Sequence, residues 1–300
     1  MNKLQTAVNR NPGDSGREAE TLLKPAVECR NLSAGYRKPV REGTRILHDL
    51  TFTVREGESA ALLGQNGCGK TTLLRTLTGL LPYRGEIRLC GENLSGLNRR
   101  GIAERTAMLT QFSEVYFSYT IRETVEMGRY IRGTRSAYDR EKIDECLEMT
   151  GLADLQNRQI SGLSGGQLQR VFLARTLAQE TPVIFLDEPM NHLDLKYQIR
   201  LREYLAKWSE GSTALPGGQV YRNTLIGVYH DVTMAAEMAD HLIFLKNGRI
   251  AAEGGRDEVF RRDILESVYD VDVASHLHRE QEIQNRFLFG GGKTRKEPEL

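Results

Sequence analysis

The chain has 300 residues, of which 39% are hydrophobic and 27% are charged. This composition is typical of a globular protein and excludes the fibrous and the wholly disordered classes. Lys plus Arg (41) and Asp plus Glu (40) nearly cancel, which leaves a formal net charge of +1. The charge balance therefore indicates neither a nucleic acid partner nor a polybasic membrane anchor.

The longest apolar runs, such as residues 60–63 and 183–186, are far shorter than the roughly 18 residues that cross a bilayer, so we expect no spanning segment. The first twenty residues lack the apolar core of a secretory signal, which favours a cytoplasmic location. The cysteines are widely scattered, which favours reduced thiols over a zinc site or a disulfide framework. They are Cys29, Cys68, Cys90 and Cys146.

The predicted elements begin after a polar extension, residues 1–24, which we expect to be flexible. Residues 26–36 and 46–58 carry alternating, β-branched patterns that predict antiparallel strands. They lead into a short buried strand over residues 59–64. A glycine-rich loop and a helix over residues 70–81 follow, which together form a strand–loop–helix unit.

Strands and helices then alternate, which predicts a mainly parallel sheet covered on both faces. The predicted segments are a strand at 106–111, helices at 138–151 (closed by Gly151) and 167–179, strands at 182–189 and 224–231, and a hairpin over 241–254 that turns at Asn247–Gly248. Residues 209–223, rich in Gly and Pro, predict a surface insertion, and the tail from Gly290 predicts disorder.

The stretch GQNGCGKTT fits the P-loop pattern with Gly64, Gly69, Lys70 and Thr71. Backbone N–H groups of such a loop surround a β-phosphate, the lysine reaches the β and γ oxygens, and the hydroxyl coordinates Mg²⁺. We therefore predict a site for ATP and Mg²⁺. Its loop residues are Gly64, Gln65, Asn66, Gly67, Cys68, Gly69, Lys70, Thr71 and Thr72.

Two acids, Asp187 and Glu188, come directly after a buried apolar strand. Ligands of open α/β sheets bind at the carboxyl ends of the strands. Two acids after a strand also fit a solvated strand end, but a P-loop earlier in the chain favours a nucleotide site. In that site Asp187 would hold Mg²⁺ and Glu188 would accept a proton from, or orient, the attacking water.

The stretch LSGGQ, residues 163–167, places a glycine pair at a predicted helix entrance, where backbone N–H groups and the helix dipole suit an anion. Together with GQNGCGKTT and FLDEP, it resembles the ATP-binding subunits of ABC transporters. LSGGQ matches the signature motif of that family at every position. The resemblance runs in order over residues 26–275. It implies that two such domains face each other head to tail, so that the signature of one closes over the nucleotide held by the other.

The resemblance also implies roles for residues whose chemistry alone is ambiguous. Tyr36 would stack on adenine, although a lone tyrosine also fits plain packing. Gln111 would approach Mg²⁺ and water beside the membrane subunit, and His230 would contact the γ-phosphate; by themselves they fit solvated residues. Asp194 would act across the dimer. The signature residues that meet the partner's ATP are Leu163, Ser164, Gly165, Gly166 and Gln167.

The implied fold is an α/β P-loop NTPase with a mainly parallel sheet core, an antiparallel β subdomain and a helical, signature-bearing subdomain at about residues 112–180. The domain would span residues 25–289, with a flexible tail over 290–300. The implied partners are a second copy of the chain, separate integral membrane permease subunits and an extracytoplasmic substrate-binding protein. The subunit would lie on the cytoplasmic face of the membrane, and no nucleic acid is expected.

Softer similarities point to the importers of iron–siderophore complexes, haem and cobalamin. They lie in residues 97–111, 120–130, 191–198 and 264–273. Other metal or oxyanion importers remain open. A soluble ABC ATPase acting on ribosomes is favoured by DEPMNHLD, but such proteins carry two tandem domains and this chain has one P-loop. A DNA-repair ATPase would need a long coiled coil, and Glu188 with His230 disfavours a regulatory subunit without turnover.

Overall fold

The structure is a computed structural model, and it describes residues 23–110, 118–132, 136–191 and 193–288. Twelve strands occur in these ranges. They are β1 (Pro25–Ala34), β2 (Leu47–Arg55), β3 (Ser59–Leu63), β4 (Tyr83–Leu89), β5 (Glu92–Asn93), β6 (Thr106–Leu109), β7 (Val183–Asp187), β8 (Ser212–Ala214), β9 (Val220–Arg222), β10 (Thr224–Val228), β11 (His241–Lys246) and β12 (Arg249–Gly255).

The helices of the same ranges include five short 3₁₀ turns, at residues 42–44, 94–96, 127–132, 153–155 and 160–162. The α-helices are α1 (Lys70–Leu77), α2 (Arg99–Arg105), α3 (Ile121–Glu126), α4 (Ala137–Met149), α5 (Gly165–Ala178), α6 (Leu195–Ser209), α7 (Val232–Met238), α8 (Arg256–Val259), α9 (Arg262–Tyr269) and α10 (Val273–Leu288). No helix of the described ranges is long and apolar enough to cross a membrane.

A six-stranded sheet in the order β12-β11-β3-β10-β7-β6 forms the centre of the fold. Its inner strands β3, β7 and β10 are almost wholly buried because helices or a second sheet cover both faces. All neighbours from β11 to β6 are parallel, and only β12 runs antiparallel to β11. This confirms the predicted mainly parallel sheet.

A second, antiparallel sheet has the order β2-β1-β4-β5. Its apolar face packs with helix α1 and one side of the central sheet, in a core that includes Leu32, Leu50, Leu73 and Ile87. The antiparallel pairing of β1 with β2 confirms the prediction for residues 26–36 and 46–58. The helices between residues 121 and 178 pack on the other side of the central sheet, and α7 to α10 form a third core with β3 and β11.

Helix ends follow local capping chemistry. Helix α4 begins after Ser136, whose hydroxyl accepts a hydrogen bond from the backbone of Asp139, and it ends before Gly151 with φ +65°. This confirms the predicted helix. Helix α1 stops at Leu77 instead of residue 81, because Thr78 caps it and Gly79 turns with φ +69°.

The segment predicted as a surface insertion, residues 209–223, is a β-hairpin of β8 and β9 with two anchors in the core. Leu215 and Tyr221 are buried with the antiparallel sheet, and the Tyr221 hydroxyl donates to the Cys90 carbonyl (2.8 Å). The prediction of a purely superficial segment was therefore wrong for these residues. Strand alternation explains it, since Tyr221 points inward while Val220 and Arg222 remain exposed.

The four cysteines are free, as the predicted reduced thiols require, and the structure shows in addition that all four are buried. Of the extension predicted as flexible, only residues 23–24 are described, and there the Lys24 backbone N–H donates to Glu56 Oε1 (3.3 Å). The last two residues of the predicted extension are thus part of the fold. Residues 1–22 and the predicted tail 290–300 lie outside the described residues.

His241 connects three strands at the end of the central sheet opposite to the P-loop. Its Nε2 lies 3.2 Å from Glu253 on β12, and its Nδ1 lies 3.6 Å from Glu58, just before β3. Burial lowers the pKa of His241, but the hydrogen bonds to Glu253 and Glu58 outweigh this effect and raise the pKa to about 9. The imidazolium is thus the form that the folded state favours.

We expect replacement His241→Gln to lower the free energy of unfolding most at pH 6 to 6.5. The raised pKa contributes stability that is fully present below the unfolded value of about 6.5 and is lost as the pH rises through 9, on the order of 3 kcal/mol in all. Urea unfolding of both proteins between pH 6 and 10 measures the difference. A difference that stays constant over this range contradicts the assignment.

Candidate nucleotide site

The P-loop connects the end of β3 at Leu63 to the start of α1 at Lys70. Two of its glycines are required by the backbone. Gly64 has φ +138°, and a Cβ there would lie 2.1 Å from the Leu245 carbonyl oxygen; Gly69, the N-cap of α1, has φ +112°. The structure therefore contains the strand–loop–helix unit in which a P-loop receives phosphate.

Lys70 lies inside this loop and is only 6% exposed. Its Nζ donates to the carbonyl oxygens of Gly64 (2.7 Å) and Gln65 (3.0 Å). A buried ammonium needs such acceptors, because water no longer solvates it. The cation is therefore held at the centre of the loop, where it can exchange a carbonyl for a phosphate oxygen.

Thr71 and Asp187 meet across the loop, since the Thr71 hydroxyl donates to Asp187 Oδ1 (3.1 Å). Asp187 is the last residue of β7 and is 3% exposed. Burial raises the pKa of Asp187; the Thr71 hydrogen bond opposes this shift, and the charge of Glu188 adds to it. A buried carboxylate beside a hydroxyl is a hard oxygen pair that suits Mg²⁺.

Glu188 follows directly and has the left-handed backbone conformation (φ +55°). Its carboxylate contacts two side chains, with His230 Nε2 on one oxygen and the Asn191 amide on the other. Glu188 is mostly buried and His230 is 42% exposed. The structure thus brings together the two residues that the resemblance implies, and it adds Asn191, which the sequence analysis did not identify.

Gln169, on helix α5, is a second residue that the sequence analysis missed. Its amide donates to the carbonyls of Glu188 (3.3 Å) and Pro189 (3.0 Å). The sequence shows only that a polar residue lies two positions after the signature. It does not indicate that this residue contacts the chain at Glu188 and Pro189. Met190, which follows Pro189, is buried with the helical core.

Tyr36 lies at the mouth of the loop and is 54% exposed. Its hydroxyl is 3.5 Å from Thr72 Oγ1, in the first turn of α1. The ring is therefore both close to the loop and accessible to a flat ligand. Gln111 lies outside the described residues, and so its position relative to this site is not described.

The signature stretch lies at the start of helix α5. Ser164 is the N-cap: its hydroxyl accepts from the Gln167 backbone (3.3 Å), and Gln167 Oε1 accepts from the Ser164 backbone (3.0 Å). Leu163 is half-buried, and Gly165 and Gly166 follow at the exposed helix entrance. A Cβ on Gly165 would meet no atom within 4 Å, so packing inside this chain does not require glycine there.

Asp194 is exposed at the start of helix α6, where its Oδ1 accepts from the Tyr197 backbone (3.1 Å). The described polar contacts of Asp194 and of the signature are local to each segment. They therefore do not join either segment to the P-loop of the same chain, whereas Tyr36, Thr71, Asp187, Glu188 and His230 cluster around that loop.

Comparison with known proteins agrees with this geometry. A family model described as "ABC transporter" matches residues 47–191. The chain is 33% identical to a petrobactin import ATP-binding protein of Bacillus subtilis, covering 82% of this chain and 94% of that protein. It is 36% identical to a hemin import ATP-binding protein of Bradyrhizobium diazoefficiens, covering 85% of this chain and 92% of that protein.

A solved structure, an ATP-binding cassette in a dimeric post-hydrolysis state with ADP and Pi bound, is also similar. It superposes with a TM-score of 0.65 at 28% identity, covering 76% of this chain and 98% of that one. The predicted fold class is thereby confirmed. The chain has a nucleotide-binding P-loop at the end of its parallel sheet, and its similarity to these relatives extends over nearly their full length. It therefore belongs to the ABC transporter family as an ATP-binding, ATP-hydrolysing subunit.

Proposed function

We propose that this chain hydrolyses ATP to power an importer of iron–siderophore complexes, haem or cobalamin. One observation carries the ATPase part of the proposal. The ends of three parallel strands place Lys70, the Thr71–Asp187 pair and the Glu188–His230 pair around one loop. These are the groups that phosphate binding, cation binding and water activation require.

Nucleotide binding involves the whole loop, residues 64–72. Its backbone N–H groups and Lys70 bind the phosphates, and the exposed ring of Tyr36 stacks on adenine. Thr71 and Asp187 would hold Mg²⁺, and Gln111 would be a further ligand or water contact. The described residues contain no group of three or more His, Cys, Asp or Glu that could hold a metal ion alone. This suits a cation that takes some of its ligands from the phosphates of the nucleotide.

Hydrolysis begins when Glu188 accepts a proton from the water that attacks the γ-phosphorus. The P–O bond to the β-phosphate breaks as the new bond forms, and ADP leaves with the electron pair. His230 contacts the γ-phosphate and, with Asn191, holds the Glu188 carboxylate in place. Thr71 and Asp187 would hold Mg²⁺, which when bound would neutralise charge that develops on the phosphate oxygens.

The exposed signature is the second half of the site of another copy. Gly165 has space for a Cβ in this chain, so close approach of an outside group gives a reason for glycine there. The helix α5 N-terminus supplies N–H groups to the partner's γ-phosphate, and Asp194 acts across the same boundary. We therefore propose a head-to-tail homodimer, in accord with the dimeric state of the similar cassette structure.

Permease subunits would dock on a groove of about 1330 Å³ beside helix α1. It is lined by Leu80 and Leu81 after α1, Ile102 on α2, and Met108 and Thr110 at the end of β6. Thr110 directly precedes Gln111, so a segment seated in the groove would contact the chain next to a proposed ligand of the site. We therefore propose that the subunit lies on the cytoplasmic face of a membrane, where its transporter would also use an extracytoplasmic binding protein.

We expect Glu188→Gln to retain ATP binding and to lower turnover at least about 100-fold, because the amide cannot accept the proton from water. The variant should accumulate as an ATP-bound closed dimer. Phosphate release measures turnover, and size-exclusion chromatography with ATP measures the dimer. Glu203→Gln, at an exposed position on α6, is the matched control and should behave as wild type. Substantial residual turnover in Glu188→Gln rules out this residue as the base.

We expect Ser164→Arg to block the nucleotide pocket of the opposite subunit. The arginine would occupy the partner's phosphate space while leaving the P-loop of its own chain intact. Mixed dimers of a tagged variant and a longer wild-type chain would be photolabelled with an azido-ATP. The two chains differ in length, so a denaturing gel separates them and shows which chain carries the label. Lys70→Ala in the tagged chain is the converse control, since it should remove label from that chain. Loss of label from the chain carrying Ser164→Arg contradicts the head-to-tail arrangement.

The cargo is tested by uptake in cells that lack this chain. Such cells, complemented with wild type or with Glu188→Gln, would be given a radiolabelled ferric siderophore, haem or cobalamin. We expect uptake of one of these with wild type alone, and recovery of a polytopic permease with the tagged chain in mild detergent. Normal uptake of all three without the chain, together with recovery of ribosomes alone, overturns the importer proposal.

A further inference from the structure

Helix α9 ends next to the P-loop, in the segment 264–273 that the site described above does not use. Asp270 is its C-cap and has the left-handed conformation, with φ +59°. Its backbone N–H donates to the Glu266 carbonyl (2.9 Å), which completes the last turn. The conformation directs the chain into the next helix, α10, and places the Asp270 carboxylate beside the loop.

Both oxygens of this carboxylate are in use. Oδ2 accepts from Gln65 Nε2 of the P-loop (2.9 Å), and Oδ1 accepts from Lys246 Nζ at the end of β11 (2.7 Å). Lys246 also donates to the Ser267 carbonyl on α9 (2.6 Å). The hydrogen bonds from Lys246 and Gln65 hold the pKa of Asp270 below its ordinary value, so the carboxylate is charged at neutral pH.

Gln65 connects this carboxylate to the phosphate-binding cation. While its side chain donates to Asp270, its backbone carbonyl accepts from Lys70 Nζ (3.0 Å). The preceding residue of the segment, Tyr269, packs in the third core, and burial raises its pKa to about 12, against the effect of the backbone of Gly64. Asp270 is therefore bonded to the loop residue whose backbone carbonyl holds Lys70.

An exposed ion pair contributes little to the stability of a fold, so the Lys246–Asp270 pair is not explained by stability alone. The P-loop chemistry does not need a glutamine side chain at position 65 either, since the phosphate contacts come from backbone groups and Lys70. The pair holds the Asp270 carboxylate in place, and this carboxylate accepts the hydrogen bond from the loop residue Gln65. A loop that is already ordered before ATP binds loses less conformational entropy on binding, and this favours a higher affinity.

We infer that Asp270 is a positioning residue for the P-loop, through which the C-terminal segment 264–273 sets the affinity for ATP. The inference rests on the proposed role of this loop in binding the phosphates. It extends that proposal by making the affinity depend on a helix junction more than 200 residues further along the chain.

The test measures ATP affinity by isothermal titration calorimetry in EDTA, so that hydrolysis does not interfere. Asp270→Gly keeps the positive φ but removes the carboxylate. We expect it to weaken ATP binding about 3- to 10-fold, the effect of about one hydrogen bond. Asp270→Asn, which tolerates the same conformation and can still accept from Gln65, should restore most of the affinity. Asp263→Ala, an exposed acid on the same helix paired only with Arg261 in the described contacts, is the matched control.

A double-variant cycle separates positioning from a general loss of stability. If Asp270 acts through Gln65, then Gln65→Ala should weaken ATP binding to a similar extent, and the variant with both changes should be no weaker than either alone. Additive losses, or an unchanged affinity in Asp270→Gly, overturn the inference. Wild-type protein that binds no ATP under these conditions would instead overturn the assignment of the loop as the nucleotide site.

Discussion

Parallel hydrogen bonding between β3, β10 and β7 holds three strand ends at one level of the sheet. Val228 of β10 is paired with Leu62 on one side and with Asp187 on the other. The residues that follow each strand are therefore brought to one edge, although they are far apart in the chain. The P-loop, Glu188 and His230 meet because of this register. A shift of one residue in any of these strands would turn its side chains to the opposite face and separate the groups.

Much of the central fold could be predicted, because buried parallel strands are continuous apolar runs and the helices between them have clear caps. Elements without such signals were missed. Helix α2 is short and contains Gly101, which hides its periodicity, although Asn98 caps it by accepting from the Gly101 backbone (2.8 Å). The sequence predicts only a surface segment where the hairpin at 212–222 lies, since three-residue strands are too short to show alternation and the burial of Tyr221 depends on a distant carbonyl.

The candidate site divides in the same way. The P-loop, the acid pair and the signature could be predicted because each is a local run of residues whose spacing serves one chemistry. Asn191, Gln169 and Asp270 could not, because their roles depend on where the fold brings them. Gln65 and Asp270 are separated by 205 positions, and neither residue type indicates the other. Side chains that hold functional groups in place are thus less visible in a sequence than the groups themselves.

Helix α5 joins features that have so far been described one by one. Its first turn carries the signature, Gln169 on its second turn holds the carbonyl of Glu188, and Gln179 after its last turn donates to the carbonyls of Ala103 and Thr106. The helix is 14 residues long, or about 21 Å, so it connects these contacts over that distance. In the head-to-tail dimer proposed above, a displacement of the signature end of this helix would therefore reach the Glu188 carbonyl of the same chain through Gln169, and this would couple the two nucleotide sites.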